Sequence, residues 1–124
     1  PAFDFAPMDT AIAALTNSAA DYDAALAANG PKLSVAQRVK LQGLMQSIGQ
    51  TLLVEVGLPG RNWYKNVITA PGRFTGYGAK TLPGIREAVE EERWADVATY
   101  VRLTAGALDA YRARLDQAKT VLMN

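Results

Sequence analysis

The last third of the chain carries the strongest constraint on the fold. From Trp94 to Leu122, the residues Val97, Val101, Thr104, Leu108, Tyr111, Leu115, Ala118 and Leu122 recur every three or four positions, and Asp109, Arg112, Asp116 and Lys119 fall on the other side. That repeat is the 3.6-residue period of an α-helix with one buried face. The spacing predicts a long helix over this stretch, its charges forming a solvated surface paired at i, i+3 and i, i+4. Such a stripe has to be covered by other elements, and no segment with strand periodicity is long enough to supply a sheet. "NVITA", Asn66 to Ala70, is at most briefly extended.

The covering elements read as helices too. Ile12, Leu15, Ala19, Tyr22 and Leu26 mark a helix over Pro7–Ala28, with Asp4 as its N-cap and Pro7 in the first turn. "NGPK", Asn29 to Lys32, ends it, with a left-handed Gly or Asn expected at the C-cap. Ser34 caps a second helix, whose apolar face runs through Val35, Val39, Leu41, Leu44, Ile48, Leu52 and Val56 to Gly57. Gly43 and Gly49 lie inside it, each costing about 1 kcal/mol relative to Ala. Close approach of another helix would offset that cost; otherwise they are simply tolerated on a surface. A short helix from Ile85 to Glu92, with Glu87, Glu90, Glu91 and Glu92 facing its positive dipole end, precedes a break before Trp94. The fold expected is all-α, a four-helix bundle in one domain over residues 1–124, with a long ordered irregular loop between the second and third helices.

Composition removes several functions. The chain has neither His nor Cys. A self-contained Ser-His or Cys-His nucleophile, a thiolate metal site and a disulfide framework are all out of reach. No metal or cofactor is expected in this chain. The formal charge is +1, without the basic excess of a nucleic-acid binder, and no apolar run is long enough to cross a bilayer. The chain starts at Pro1 without Met, which suggests a processed protein or a fragment of a longer one. The compartment is left open.

The connection between Gly57 and Pro83, about 25 residues, far exceeds the usual helix–helix loop. Trp63, Tyr64, Val67, Ile68, Phe74, Tyr77 and Leu82 make it too apolar for a solvated linker. Its charge is one-sided: Arg61, Lys65, Arg73, Lys80 and Arg86 occur with no acid between Glu55 and Glu87. Three readings fit that pattern: a carboxylate or phosphate partner, pairing with the acids of the following helix, or bases of a single strand stacked on the aromatics.

The order of residues in "GLPGRNWYKNVITAPGRFTGYGAKTLPGI", Gly57 to Ile85, resembles the matching stretch of glutamate carboxypeptidase II-like zinc peptidases. GLP, then Arg, an aromatic and Tyr, then AP, Tyr and PGI stand at that family's spacing. The acidic short helix, the Trp-containing helix start and the long last helix that follow are similar as well, as are the upstream "FD" helix and the second helix ending in "GLP". The likeness covers nearly the whole chain and corresponds to the C-terminal helical domain related to the dimerisation domain of the transferrin receptor.

The resemblance implies a non-catalytic domain of a longer enzyme, in which zinc, its ligands and the general base belong to a separate protease domain absent here. It implies that the helices form a homodimer. The long segment would reach the protease domain and wall the pocket that receives the substrate's carboxylate. Tyr77 falls on the family's carboxylate-binding Tyr, and Arg73 and Lys80 are candidates for the same anion. Gly76 departs from the family, which has a Lys immediately before that Tyr, so a preference for C-terminal glutamate is not carried over. The alternative is a free-standing helical interaction module without a peptidase partner. Neither nucleic acid nor membrane insertion is expected.

Overall fold

A computed structural model describes residues 3–54, 57–58, 65–67, 69–71 and 79–124. Four α-helices account for most of them: α1 over Ala6–Asn29, α2 over Val35–Ser47, α3 over Pro83–Glu90 and α4 over Trp94–Met123. The all-α expectation holds. At about 1.5 Å per residue, α4 is roughly 45 Å long, and α1, α2 and α3 all pack against it. Its predicted stripe is the core-facing one: Val97, Val101, Thr104, Leu115, Ala118 and Leu122 are buried, while Arg112 pairs with Asp109 and Asp116 outside.

The polar and aromatic contacts fix the helix directions. Phe3 stacks on Trp94 at 5.6 Å between centroids, the Lys119 ammonium reaches Asp21 at 3.5 Å, and Asn29 Nδ2 donates to Met123 Sδ at 3.6 Å. α1 therefore runs parallel to α4, start beside start and end beside end. Gln37 Nε2, near the start of α2, donates to the Val121 carbonyl at the end of α4, so α2 runs the opposite way. The main core cluster sits at the N-terminal end of α4, where Met8 and Ala11 of α1, Ile85 and Ala88 of α3 and Leu58 of the connection meet Val97, Tyr100, Val101 and Ala105.

Several local expectations need correction. The buried face of α1 is Met8, Ala11 and Ala25, and Ile12 and Leu26 are exposed. Small residues occupy this contact because Ala11 of α1 packs in one cluster with Ala105 of α4, where a bulkier side chain would hold the helices apart. Gly30 is right-handed, at φ −50°, because the chain runs on into a 3-10 turn over Gly30–Lys32 that takes Pro31 near its start. α2 stops at Ser47 and continues as a 3-10 turn over Ile48–Leu52 instead of reaching Gly57. The cap of α1 is offset by one residue: Phe5 holds the position, and Asp4 Oδ1 accepts from the Ala6 N–H at 2.9 Å. At Ser34 the expected cap is a full capping box with Gln37.

The break between α3 and α4 falls at Glu91–Arg93. Arg93 N–H donates to the Ala88 carbonyl at 2.8 Å and Glu92 N–H to Val89 at 3.1 Å, with Glu92 left-handed at φ 56°. These are the paired bonds of a Schellman motif, which usually has Gly at that position. Because α3 spans only Pro83–Glu90, its acids are not at its positive end, as expected above; Glu90, Glu91 and Glu92 sit at its C-terminus and lead into the N-terminus of α4. Arg93 holds the corner by pairing with Glu91 at 2.8 Å and with Asp96. Replacing Glu92 by Gly is predicted to raise stability by about 1 kcal/mol, since a left-handed residue with a Cβ is strained. Urea unfolding reads this directly, and an unchanged or lower midpoint would contradict the assignment.

Candidate functional site

The long connection is organised by its two ends. Leaving the 3-10 turn, the chain extends so that Leu53 bridges Asn66: Val54 N–H donates to the Lys65 carbonyl at 2.7 Å and Val67 N–H to Leu52 at 3.0 Å. Gly57 then turns with φ 65°, a left-handed conformation that disfavours a side chain, and the next residue, Leu58, is 1 % exposed in the core. Further on, a two-stranded antiparallel ribbon pairs β1 over Thr69–Pro71 with β2 over Ala79–Thr81, in register Ala70 with Lys80. The brief extended segment expected near Asn66–Ala70 thus belongs to a hairpin.

Both ends of the connection meet at Tyr100. Its hydroxyl donates to the Gly57 carbonyl at 2.6 Å. Its ring lies against Gly84, so closely that a Cβ built there would overlap ring carbons Cδ1, Cγ and Cε1. Pro83, Gly84 and Ile85 are buried beside it, and Leu82, which precedes Pro83, is left-handed at φ 49° with its side chain packed on the core. Proline disfavours the right-handed helical region for its predecessor, and core packing holds Leu82 in this strained alternative. One phenol thus fastens the start of the segment and the start of α3 to the same turn of α4.

Burial, then the nearby Asp96 charge, raise the Tyr100 hydroxyl above its ordinary value of 10.0, with Arg93 opposing. The phenol is therefore a neutral donor at ordinary pH.

Of the sequence-derived site residues, only Lys80 lies within the described structure. Arg73 and Tyr77 lie outside the described residues, as do Arg61, Trp63, Tyr64, Ile68, Phe74 and Gly76. Lys80 stands in β2 opposite Ala70. Lys65 and Arg86 are both engaged, and so is Glu87, which is 2 % exposed within α3. The basic run is therefore used in part inside the chain. Tyr100 was not singled out by sequence, and Gly57 and Gly84 entered only through the "GLP" and "PGI" motifs, not as residues that position the segment; the signal was a Tyr adjoining the apolar stripe and a "PG" at a helix start.

For assembly, the apolar residues that follow α2 are only partly covered by the chain. Leu53 is exposed, Leu52 and Val54 are half-buried, and Val56 lies outside the described residues. Val35 and Val39, expected on the buried face, are at the surface, and positions 43 and 49 face open space, so among the described residues no helix approaches either glycine. Among the described residues no cluster of three or more carboxylates is arranged to hold a metal, and no helix is long and apolar enough to cross a membrane.

Residues 3–116 match the family model of the transferrin receptor-like dimerisation domain, and the chain belongs to that family. It is 28 % identical over 71 residues to a protein of Arthroderma benhamiae named "Probable glutamate carboxypeptidase", a match covering 57 % of this chain and 10 % of that protein. It is 38 % identical over 37 residues to "Probable glutamate carboxypeptidase LAMP1" of Arabidopsis thaliana, covering 30 % of this chain and 5 % of the relative. The matches thus span a tenth or less of these relatives.

Replacing Tyr100 by Phe is predicted to cost about 1–3 kcal/mol by leaving the buried Gly57 carbonyl without its donor, and Gly84→Ala about 1–3 kcal/mol through overpacking. Alkaline unfolding separates the phenol's role from general packing. Because the folded-state pKa is raised, the Tyr100 contribution is complete below about pH 10 and is lost as pH rises through the raised value. Wild type should lose stability across that window more steeply than Tyr100→Phe, and parallel curves would contradict this.

Proposed function

We propose that this chain is the non-catalytic C-terminal helical domain of a zinc-dependent exopeptidase, that it joins two subunits as a homodimer, and that its 57–83 segment walls the substrate pocket of the parent's protease domain. The observation that carries this reading is the dimerisation-family match across residues 3–116, supported by the glutamate carboxypeptidase names of its relatives. A chain without His or Cys does not offer the donor set of a peptidase zinc site, so zinc belongs to the parent's protease domain.

Within that reading this chain contributes binding. The Tyr77 hydroxyl donates to a substrate carboxylate, a neutral donor orienting an anion without a second buried charge. Arg73 and Lys80 supply positive potential to the same group. With Gly76 preceding Tyr77, one charge-assisted contact is missing, and the parent takes a peptide or amino-acyl substrate other than one ending in glutamate. The pinned ends at Gly57 and Gly84 support this role, because a pocket wall has to be held by rigid elements.

In the full-length zinc enzyme, Tyr77→Phe is predicted to raise KM about 10-fold or more with little change in kcat, as expected for losing a hydrogen bond to a charged group. Steady-state kinetics on dipeptides with glutamate or neutral C-terminal residues provide the check. An unchanged KM would remove Tyr77 from the site, and faster cleavage of glutamate-terminated dipeptides than of neutral ones would contradict the altered preference.

A further inference from the structure

The α2 helix has no buried side chain along its length. Val35 is 79 % exposed and Val39 65 %, and Gly43, one further step along the same i, i+4 row, has no atom within 4 Å of where its Cβ would stand. The row is an apolar ridge ending in a notch, the shape into which a crossing helix packs closely. Its contact with its own chain is thin: Gln37 bonds to α4, but between the two helices a groove of about 460 Å³ remains, lined by Lys40, Leu44, Thr120 and Val121 among others. The helix bears Arg38 and Lys40 and no acid, and neither cation has a carboxylate partner among the described residues.

The opposite features lie on α1. Phe5, at its cap, Ile12 and Leu26 are 40 %, 47 % and 39 % exposed and stand at multiples of seven residues, so they share one stripe. The helix carries Asp9, Asp21 and Asp23 and neither Lys nor Arg. From Ile12 to Leu26 is roughly 21 Å along the axis, and α2 is roughly 20 Å long.

We infer that the Val35–Val39–Gly43 ridge of one copy docks on the Ile12–Leu26 stripe of a second copy, the two-fold axis making the contact twice. This rests on the homodimer reading above and specifies its surface. Charge decides the pairing: α2 on α2 would set Arg38 and Lys40 against themselves, and α1 on α1 would oppose Asp9 and Asp23, Asp21 being paired with Lys119, whereas α2 on α1 matches a cationic helix to an anionic one. The glycine at position 43, unexplained within the protomer, then admits the partner helix.

The test is sedimentation equilibrium of the 124-residue chain and its Val39→Asp and Ile12→Asp variants, with circular dichroism melts as a control. Both positions are exposed, so fold and melting temperature should stay close to wild type. A dimeric wild type with each variant weakened about 100-fold or more in Kd is the result expected, a charge having been placed in an apolar contact. In a second arm, Arg38→Glu with Lys40→Glu should weaken pairing, and adding Asp9→Lys with Asp23→Lys should restore it. A dimer that persists in either single variant overturns this surface and leaves the homodimer reading standing. A wild-type chain that stays monomeric overturns this surface, since both helices that form it are present in the 124 residues, and leaves the homodimer reading to the full-length enzyme.

Discussion

The hydrogen bond from the Tyr100 hydroxyl to the Gly57 carbonyl, with Gly84 packed closely against the same ring, is the constraint on which the connection depends. α4 is the element against which the other helices pack, and Tyr100 sits in its second turn, among the core residues contributed by α1, α3 and the connection. A long excursion between two helices carries a closure cost and many polar backbone groups to satisfy. Here its start and its return converge on one side chain; Asn66 doubles back to bridge Leu53, just ahead of that start, and the β1–β2 ribbon follows. Two glycines make this possible for different reasons: Gly57 for a left-handed turn and Gly84 for contact with a ring.

What was legible in the sequence follows the strength of local signals. The stripe of α4, the cap at Ser34 and the break before Trp94 were readable because each is fixed by residues within a turn or two. The buried face of α1 was misread because hydrophobicity ranks Ile12 and Leu26 above Ala11 and Ala25, while the close approach to α4 favours alanine. The length of α2 was overread for a similar reason. Leu52 continues its apolar pattern, yet the backbone at Leu52 and Val54 is claimed by Val67 and Lys65, residues distant in sequence, in an extended pairing. Tertiary pairing of this kind leaves no trace in periodicity.

The candidate site was legible as a segment but not as a mechanism of support. The aromatic and basic character of residues 57–83 marks it as packed and anion-tolerant. The residues that hold it in place look ordinary: Tyr100 adjoins a helical stripe, and Gly84 follows a proline at a helix start. Their pairing is visible only when the two ends of the segment are brought to α4. By contrast, the unpartnered faces of α1 and α2 emerge from the difference between the apolar residues the sequence offers and those the protomer buries. That surplus fits a domain whose family is defined by assembly.

Amide hydrogen exchange of wild type against Tyr100→Phe tests the central claim, that one side chain secures the long segment to the bundle. The account predicts faster exchange at the Val54 and Val67 amides, which bond across the Leu53–Asn66 bridge, with the amides of α1 and the C-terminal half of α4 little changed. Unchanged protection at Val54 and Val67, or a uniform loss through every helix, would contradict it.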